Sequence, residues 1–182
     1  MNKAPLEPPV VAPSSGRVLL RGYEERDVDM VRDLATDPYL PKIGTLPGHA
    51  DRDQALAYLH RQRDRLATGQ GYSFCIAGAE TDAALGGVGL WLESISAGRA
   101  TAGYVVAPLH RGHGFARDAL TALTLFAWSI EDLHRVELYI EPWNSASLRT
   151  AQAAGFNPEG LLRSHREIGG RRVDMTIHAI TR

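Results

Sequence analysis

Cysteine occurs once in this chain of 182 residues, at Cys75. A single thiol excludes an intrachain disulfide framework and leaves no cysteine cluster for a structural metal. Within the apolar run Tyr72-Ser73-Phe74-Cys75-Ile76 it reads as a small buried strand residue rather than a nucleophile. Lysine is nearly as scarce, at Lys3 and Lys42 alone, so arginine carries the basic charge. The formal net charge of −1 provides no whole-chain field toward nucleic acid or an acidic membrane surface. No apolar run reaches the roughly 18 residues that cross a bilayer, and the amino end carries no hydrophobic signal segment. These absences give a cytoplasmic expectation, with neither nucleic acid nor membrane as partner.

What is present is the composition of an ordinary globular chain, 44% hydrophobic and 23% charged, long enough for one compact unit with a proper core. Residues 1 to about 15 hold Pro5, Pro8, Pro9 and Pro13 and little that can pack, which predicts a flexible leader before a single domain over 16–182. A first strand is expected over Arg17 to Tyr23, then a helix carrying Val28, Val31, Leu34 and Ala35 that Pro38 ends. The loop from Tyr39 to Ala50, with Pro41, Gly44, Pro47 and Gly48, is too long for a mere connector and is suited to shaping a substrate mouth. Asp51 and Gln54 form a capping-box pattern for a helix to about Ala67, with Leu56, Leu59 and Leu66 inward. Its Arg61, Arg63 and Arg65 are assigned to a solvated face, because Asp64 interrupts the run and no aromatic platform is interleaved.

Strands over about Gly71–Ala77 and Ala84–Glu93, joined by Glu80-Thr81-Asp82, predict an antiparallel meander that continues into Thr101–Val106. A core-facing helix to about Ser129 follows, with Phe115, Ala119, Ala122, Leu123, Phe126 and Ile130 on one stripe. Then come a strand over Arg135–Ile140, a short helix over Ser145–Ala154 ended by Gly155, and a terminal hairpin across Gly169-Gly170. Strand, loop, helix and strand in the middle make a βαβ unit flanked by antiparallel strands. The class is α+β, with a mixed, mostly antiparallel central sheet, a βαβ core and flanking helices.

The βαβ loop holds the strongest chemical signal. Arg111-Gly112-His113-Gly114-Phe115-Ala116 links an apolar strand to a helix whose first N–H groups are free, and Gly112 and Gly114 permit close backbone approach. Unpaired amides, the helix dipole and Arg111 together suit a phosphate or pyrophosphate. No Lys-Ser or Lys-Thr follows the second glycine and no Gly-x-Gly-x-x-Gly is completed, which argues against a P-loop and a dinucleotide fold. His110 and His113 flank the loop without a third ligand, so they are given a polar loop role and no metal is expected.

Three stretches, in order, make the chain resemble the GNAT superfamily of acyl-CoA-dependent N-acyltransferases, in its branch of ribosomal-protein N-terminal acetyltransferases. They are Gly103-Tyr104-Val105-Val106-Ala107-Pro108 with Arg111-Gly112-His113-Gly114-Phe115-Ala116, then Asn144-Ser145-Ala146-Ser147 with Ala154-Gly155-Phe156, then Glu159-Gly160 with Arg166 and the hairpin after it. The resemblance covers about Arg17 to Ile180 and implies a GNAT fold, acetyl-CoA as acyl-donor cosubstrate, a primary amine as acceptor and a homodimer. It implies that the pyrophosphate of coenzyme A rests on Arg111, Gly112, His113, Gly114, Phe115 and Ala116. The pantetheine arm would lie along Tyr104, Val105 and Val106 as an added strand.

It also implies direct attack of an amine on the thioester. Asn144 would hold the pantetheine end or simply cap a helix, and Ser147 would offer its hydroxyl to the sulfur or remain a surface hydroxyl. Branch relatives often carry a glutamate just before the Gly-Tyr pair, where this chain has Thr101-Ala102-Gly103-Tyr104. Glu93 and Glu141 are the substitute bases, each with a solvated strand end as the alternative, and Tyr104 is either a donor or a packed strand residue. The missing carboxylate keeps a non-catalytic acyl-CoA-binding or sensory domain as the second reading. A larger donor such as succinyl-CoA and an acceptor that is either a protein amino terminus or a small amine both stay open.

Overall fold

The structure, a computed structural model, describes residues 4–182. One eight-stranded sheet runs β1-β2-β3-β4-β5-β6-β8-β7. Its strands are β1 (Ser14–Ser15), β2 (Val18–Arg21), β3 (Gly71–Gly78), β4 (Ala84–Trp91), β5 (Arg99–Val106), β6 (Arg135–Ile140), β7 (Asn157–Ile168) and β8 (Arg171–Thr181). The helices are α1 (Val28–Leu34), α2 (Leu40–Ile43), α3 (Arg52–Ala67), α4 (Phe115–Ala127) and α5 (Ser145–Ala153). Every strand pairing is antiparallel except β5 with β6, which α4 joins as the crossover of a βαβ unit.

Strand alternation divides the core into two layers. Phe74, Ile76, Val88, Leu90, Ala102 and Val106 face α4, where Ala119, Leu120, Ala122, Leu123 and Ala127 bury its apolar stripe. Cys75 faces the other way, among Val31 and Leu34 of α1 and Ala55 and Leu59 of α3. Burial there pushes the Cys75 thiol far above its usual value, so no thiolate forms near neutral pH. Phe74 and Tyr72 meet Phe126 edge-on at 5.6 and 4.7 Å, which fixes α4 against β3.

The meander, the α4 stripe and the Asp51 capping box all form as the sequence predicts: Gln54 N–H donates to Asp51 at 2.8 Å and Asp51 N–H to Gln54 at 3.0 Å. Boundaries differ in instructive ways. The first strand stops at Arg21, and Tyr23 turns into the core instead. Strand β4 ends at Trp91, which leaves Glu93 in the following turn. Within the predicted loop 39–50, α2 makes one turn beginning at Leu40 and Pro41, where proline's fixed φ is already helical.

Residues 1–3 of the predicted leader lie outside the described residues, while the rest of it touches the body at several points. Leu6 N–H donates to Leu66 C=O at 3.0 Å, Leu20 N–H donates to Pro13 C=O at 2.7 Å, and β1 pairs with β2. Hydrogen bonds made by the backbone, which composition does not show, supply these attachments.

A buried ion pair ties β2 to the start of α1. Arg21 reaches both oxygens of Asp27 at 2.8 Å, and Glu24 N–H adds a third bond to the same carboxylate. Burial alone would raise the Asp27 pKa, but the Arg21 bonds outweigh it and the carboxyl is held below its usual range. A lowered folded value means the contribution is fully present above the unfolded value near pH 4 and disappears as pH falls through the folded one. Asp27→Asn is therefore expected to cost about 3 kcal/mol at pH 7. It should also flatten the loss of stability below pH 4, as read by urea unfolding at a series of pH values.

Candidate active site

The parallel pairing of β5 and β6 has only three rungs, Arg99 with Arg135, Ala100 with Val136 and Thr101 with Glu137. Beyond Thr101, β5 continues to Val106 against β4, and β6 continues to Ile140 against β8. The two strands separate, and alternate amides and carbonyls of residues 102–106 are left facing a gap. A cavity of about 500 Å³ opens there, lined by Gly103, Tyr104 and Val105 on one side and Leu138, Tyr139, Ile140 and Glu141 on the other. Ligands of open sheets with parallel strands enter at such a position, outside the carboxyl ends of the strands.

At the far end of β5, Gly112 and Gly114 both have φ of +81°, which strains any other residue type. Gly114 is the N-cap of α4 and has no side chain to offer, so the first amides of the helix stay open to a ligand. The surroundings are basic: Arg17 donates to the His113 carbonyl and lies 5.0 Å over the Phe115 ring, while Arg111 Nε donates to Val106 C=O at 2.9 Å. Arg111 also pairs with Asp37 of the α1–α2 connection. The loop thus combines open amides, a dipole and guanidinium groups, a donor set that fits a pyrophosphate. His113 Nδ1 lies 3.3 Å from the His110 carbonyl. Among the described residues there is no cluster of three or more His, Cys, Asp or Glu that could hold a metal.

The gap gathers Tyr104, Val105, Glu141, Asn144 and Ser147, with Glu93 at its rim; Val106 and Arg111 to Ala116 lie outside its lining. Alternation places Tyr104 on the α4–α5 side of the sheet, and its hydroxyl donates to Ser147 C=O at 3.3 Å. Burial raises its pKa, against smaller opposing effects from Ser147 and Thr150, so the phenol keeps its proton at neutral pH. Asn144 caps α5: Ser147 N–H donates to its Oδ1 at 3.1 Å. The Asn144 amide NH2 has no partner among the described residues and remains free to donate.

Glu141 lies on the opposite side. Leu138 and Ile140 face α4, so the alternation of β6 turns Tyr139, and Glu141 just past its end, toward α3. Glu141 is 8% exposed and its carboxylate has no ion-pair or hydrogen-bond partner among the described residues. Glu93 is exposed.

The α3 side of the cavity is made by small residues. A Cβ on Gly89 or Gly103 would come within 3.0 Å of the Trp91 ring, and a Cβ on Gly87 would collide with the Tyr23 hydroxyl. Glycines in β4 and β5 therefore let these two aromatic side chains lie against the sheet. Arg65 lies 5.1 Å over Trp91 and lines the same cavity, so it does not belong to a solvated face as its sequence context suggests. Arg63 Nε donates to Tyr23 C=O at 2.6 Å and Arg61 reaches Thr45 C=O at 3.0 Å. Arg61 and Arg63 are exposed, as expected of a solvated face, and only Arg65 departs from it.

Sequence reading missed Gln62 altogether. It is 2% exposed, accepts a hydrogen bond from Ser73 Oγ at 2.8 Å and lines the cavity. A signal existed: Ala55, Leu59, Gln62 and Leu66 follow helical spacing, so a polar residue stood on the inward stripe.

A mixed sheet opened between two parallel strands, with an uncapped helix at the end of the first, defines the GNAT acyltransferase fold. The chain matches the acetyltransferase (GNAT) domain family over residues 17–157 and belongs to that family. It is 30% identical over 164 residues to the uncharacterized N-acetyltransferase p20 of Bacillus licheniformis, across 90% of this chain and 92% of that protein.

Among solved structures it is similar to Mycobacterium smegmatis RimJ in complex with CoA-disulfide, with a TM-score of 0.77 and 27% identity over 93% of this chain and 84% of that one. RimL, a ribosomal L7/L12 alpha-N-protein acetyltransferase solved with coenzyme A, shares the fold at a TM-score of 0.77 and 18% identity over 93% and 97% of the two chains. The likeness to RimJ fits the RimJ/RimL-like branch, and that to RimL shows the shared fold. This chain is an N-acetyltransferase of the GNAT family.

Ligand held only by the folded state must raise the melting temperature, by the equivalent of about 2.7 kcal/mol at 100 times Kd. Coenzyme A and acetyl-CoA are expected to do so with the native chain. With Gly114→Trp, which fills the loop and forces a bulky residue into positive φ, the shift should vanish in differential scanning fluorimetry.

Proposed function

We propose that this chain moves an acetyl group from acetyl-CoA to a primary amine, with Glu141 on the proton path of the amine and Tyr104 as donor to the departing sulfur. The observation that carries this reading is the unpaired Glu141 carboxylate at the wide end of the β5–β6 gap. An ammonium ion approaching from the α3 side meets that carboxylate, which attracts it and accepts its proton directly or through water. The neutral nitrogen attacks the thioester carbonyl, a C–N bond forms as the C–S bond breaks, one proton passes to the thiolate and the surplus proton reaches solvent.

The residues divide that work by face. Alternate amides of this edge, those of Tyr104 and Val106, point into the gap, where they hold the donor arm as an added strand and polarise its carbonyl. The Asn144 NH2 group and the start of α5 position the arm near its sulfur. Tyr104, protonated at neutral pH, stands on the α5 side, where the thiol departs, and Ser147 is beside it. Glu93, exposed at the rim, draws the acceptor amine without taking part in proton transfer.

Glu141→Gln is expected to lower kcat by about 100-fold, and Tyr104→Phe by about 10-fold or more, values at or below the usual range of general acid–base catalysis. Neither should alter the thermal shift given by coenzyme A. The assay is thiol release from acetyl-CoA with a panel of primary amines, repeated with succinyl-CoA. An unchanged kcat in Glu141→Gln would remove the base assignment, and thiol release no faster than hydrolysis across the panel would remove the primary amine as acceptor.

A further inference from the structure

Gln62 Nε2 is buried without a hydrogen-bond partner, in a residue that lines the reaction cavity. Its orientation follows from its neighbours. Arg65 Nη1 donates to Ser73 Oγ at 3.4 Å, and the Ser73 hydroxyl spends its own proton on Gln62 Oε1 at 2.8 Å. Turning the amide over would let Nε2 donate to the second lone pair of Ser73 Oγ but would leave both the Ser73 proton and Oε1 unspent, one buried group more than the present orientation. A directed chain therefore runs from Arg65 through Ser73 to Gln62 and ends on an unfilled donor. A buried donor left unfilled is costly in a folded protein, and such a group calls for an incoming acceptor.

The charge of the same corner is equally one-sided. Arg65 is half-buried over Trp91 and forms no ion pair among the described residues. Arg166 of β7, exposed and on a strand four places from β4, lines another part of the cavity and also lacks a carboxylate partner. Of the carboxylates of the lining, Glu141 belongs to the wide end level with Val105, and Glu93, exposed to solvent, follows Trp91 by two residues. The phenols of Tyr23 and Tyr58 complete the wall, and burial raises both pKa values, so they remain protonated donors. The buried part of this corner presents hydrogen-bond donors and positive charge, and its one nearby carboxylate, Glu93, is exposed to solvent.

We propose that Gln62 and Arg65 form a carboxylate-binding subsite for the acceptor, so that the preferred amines carry a carboxylate. This rests on the reading of the cavity as the acceptor site of an N-acetyltransferase and narrows it. The subsite opposes polyamines, whose second charge would lie against Arg65. The α-carboxylate of a free amino acid and the acidic side chain of a peptide offer the same group, and the two are separated by experiment.

The experiment compares kcat/KM of the full chain for glycine and glutamate, glycinamide, an Asp-initiated and an Ala-initiated tripeptide amide, a simple alkylamine and spermidine. Carboxylated amines should exceed their amides or uncharged counterparts by about 10–100-fold, the usual worth of a hydrogen bond to a charged group. A preference for free amino acids identifies the α-carboxylate, and a preference confined to the Asp peptide identifies the side chain. Gln62→Met and Arg65→Met should each reduce the ratio of carboxylated to uncharged substrate by about 10-fold or more, acting on KM, with the KM for acetyl-CoA unchanged. If Gln62→Met fails to fold, Arg65→Met carries the test.

Calorimetric binding of the same amines in the presence of coenzyme A is read independently of turnover. Failure of the catalytic reading thus shows as binding without thiol release, which leaves the subsite standing. A preference for spermidine or the alkylamine, or equal loss on all acceptors in both variants, would overturn the subsite.

Discussion

The parting of β5 and β6 after Thr101 is the constraint on which the site depends. Each strand is committed to a full antiparallel partner on its outer side, β4 for one and β8 for the other, and each keeps that partner to its end. The sheet cannot twist to serve both pairings and still close the seam between them, so three parallel rungs are all that form. Backbone groups that a sheet would ordinarily pair are left for a ligand that can behave as a strand. Crossover through α4 then delivers an uncapped helix start to the open end of the same strand. Strand edge and anion site are two consequences of one βαβ connection.

Around that opening, space is created by omission. Gly87, Gly89 and Gly103 leave a strip of sheet without side chains, and Tyr23 and Trp91 lie in it. Glycine weakens a strand in isolation, by roughly 0.5–1 kcal/mol relative to alanine in a strand or helix interior. The contact of two large rings with backbone offsets that weakness, since each aromatic side chain buries on the order of 150–250 Å². The arrangement also places the Trp91 ring under Arg65, whose charge is held near the cavity without a carboxylate. Packing and recognition therefore share the same glycines.

Much of this was legible in the sequence because it repeats with a period. The meander, the α4 stripe, the Asp51 cap and the terminal hairpin across Gly169-Gly170 are local patterns of hydrophobicity and turn chemistry, and they form where expected. The resemblance to the GNAT family pointed to the loop and the Asn144 segment as candidate site residues. Strand order was not legible, since nothing local states that β8 inserts between β6 and β7. Arg65 and Gln62 were misjudged or overlooked because the partners that bring them inward, Trp91 and Ser73, are distant in sequence and belong to other elements. Leader residues were read from proline content, whereas their attachment runs through main-chain bonds such as that of Leu6 to Leu66.

The absence of a carboxylate at Thr101 acquires a different meaning once the register is known. Thr101 stands at the last rung of the closed seam, opposite Glu137. Counting four residues along each strand brings Val105 level with Glu141, about 13 Å further on at the usual rise of a strand. A carboxylate at Thr101 would sit at the narrow end of the gap, whereas Glu141 sits at its wide end, beside the segment whose amides are open. The face matters as much as the level. Glu141 points to the α3 side and Tyr104 to the α5 side, so the proposed proton acceptor and the proposed donor are held on opposite faces of the sheet. Two groups on one face would compete for the same proton; under the proposed roles, the sheet between them gives amine entry and thiol departure separate paths.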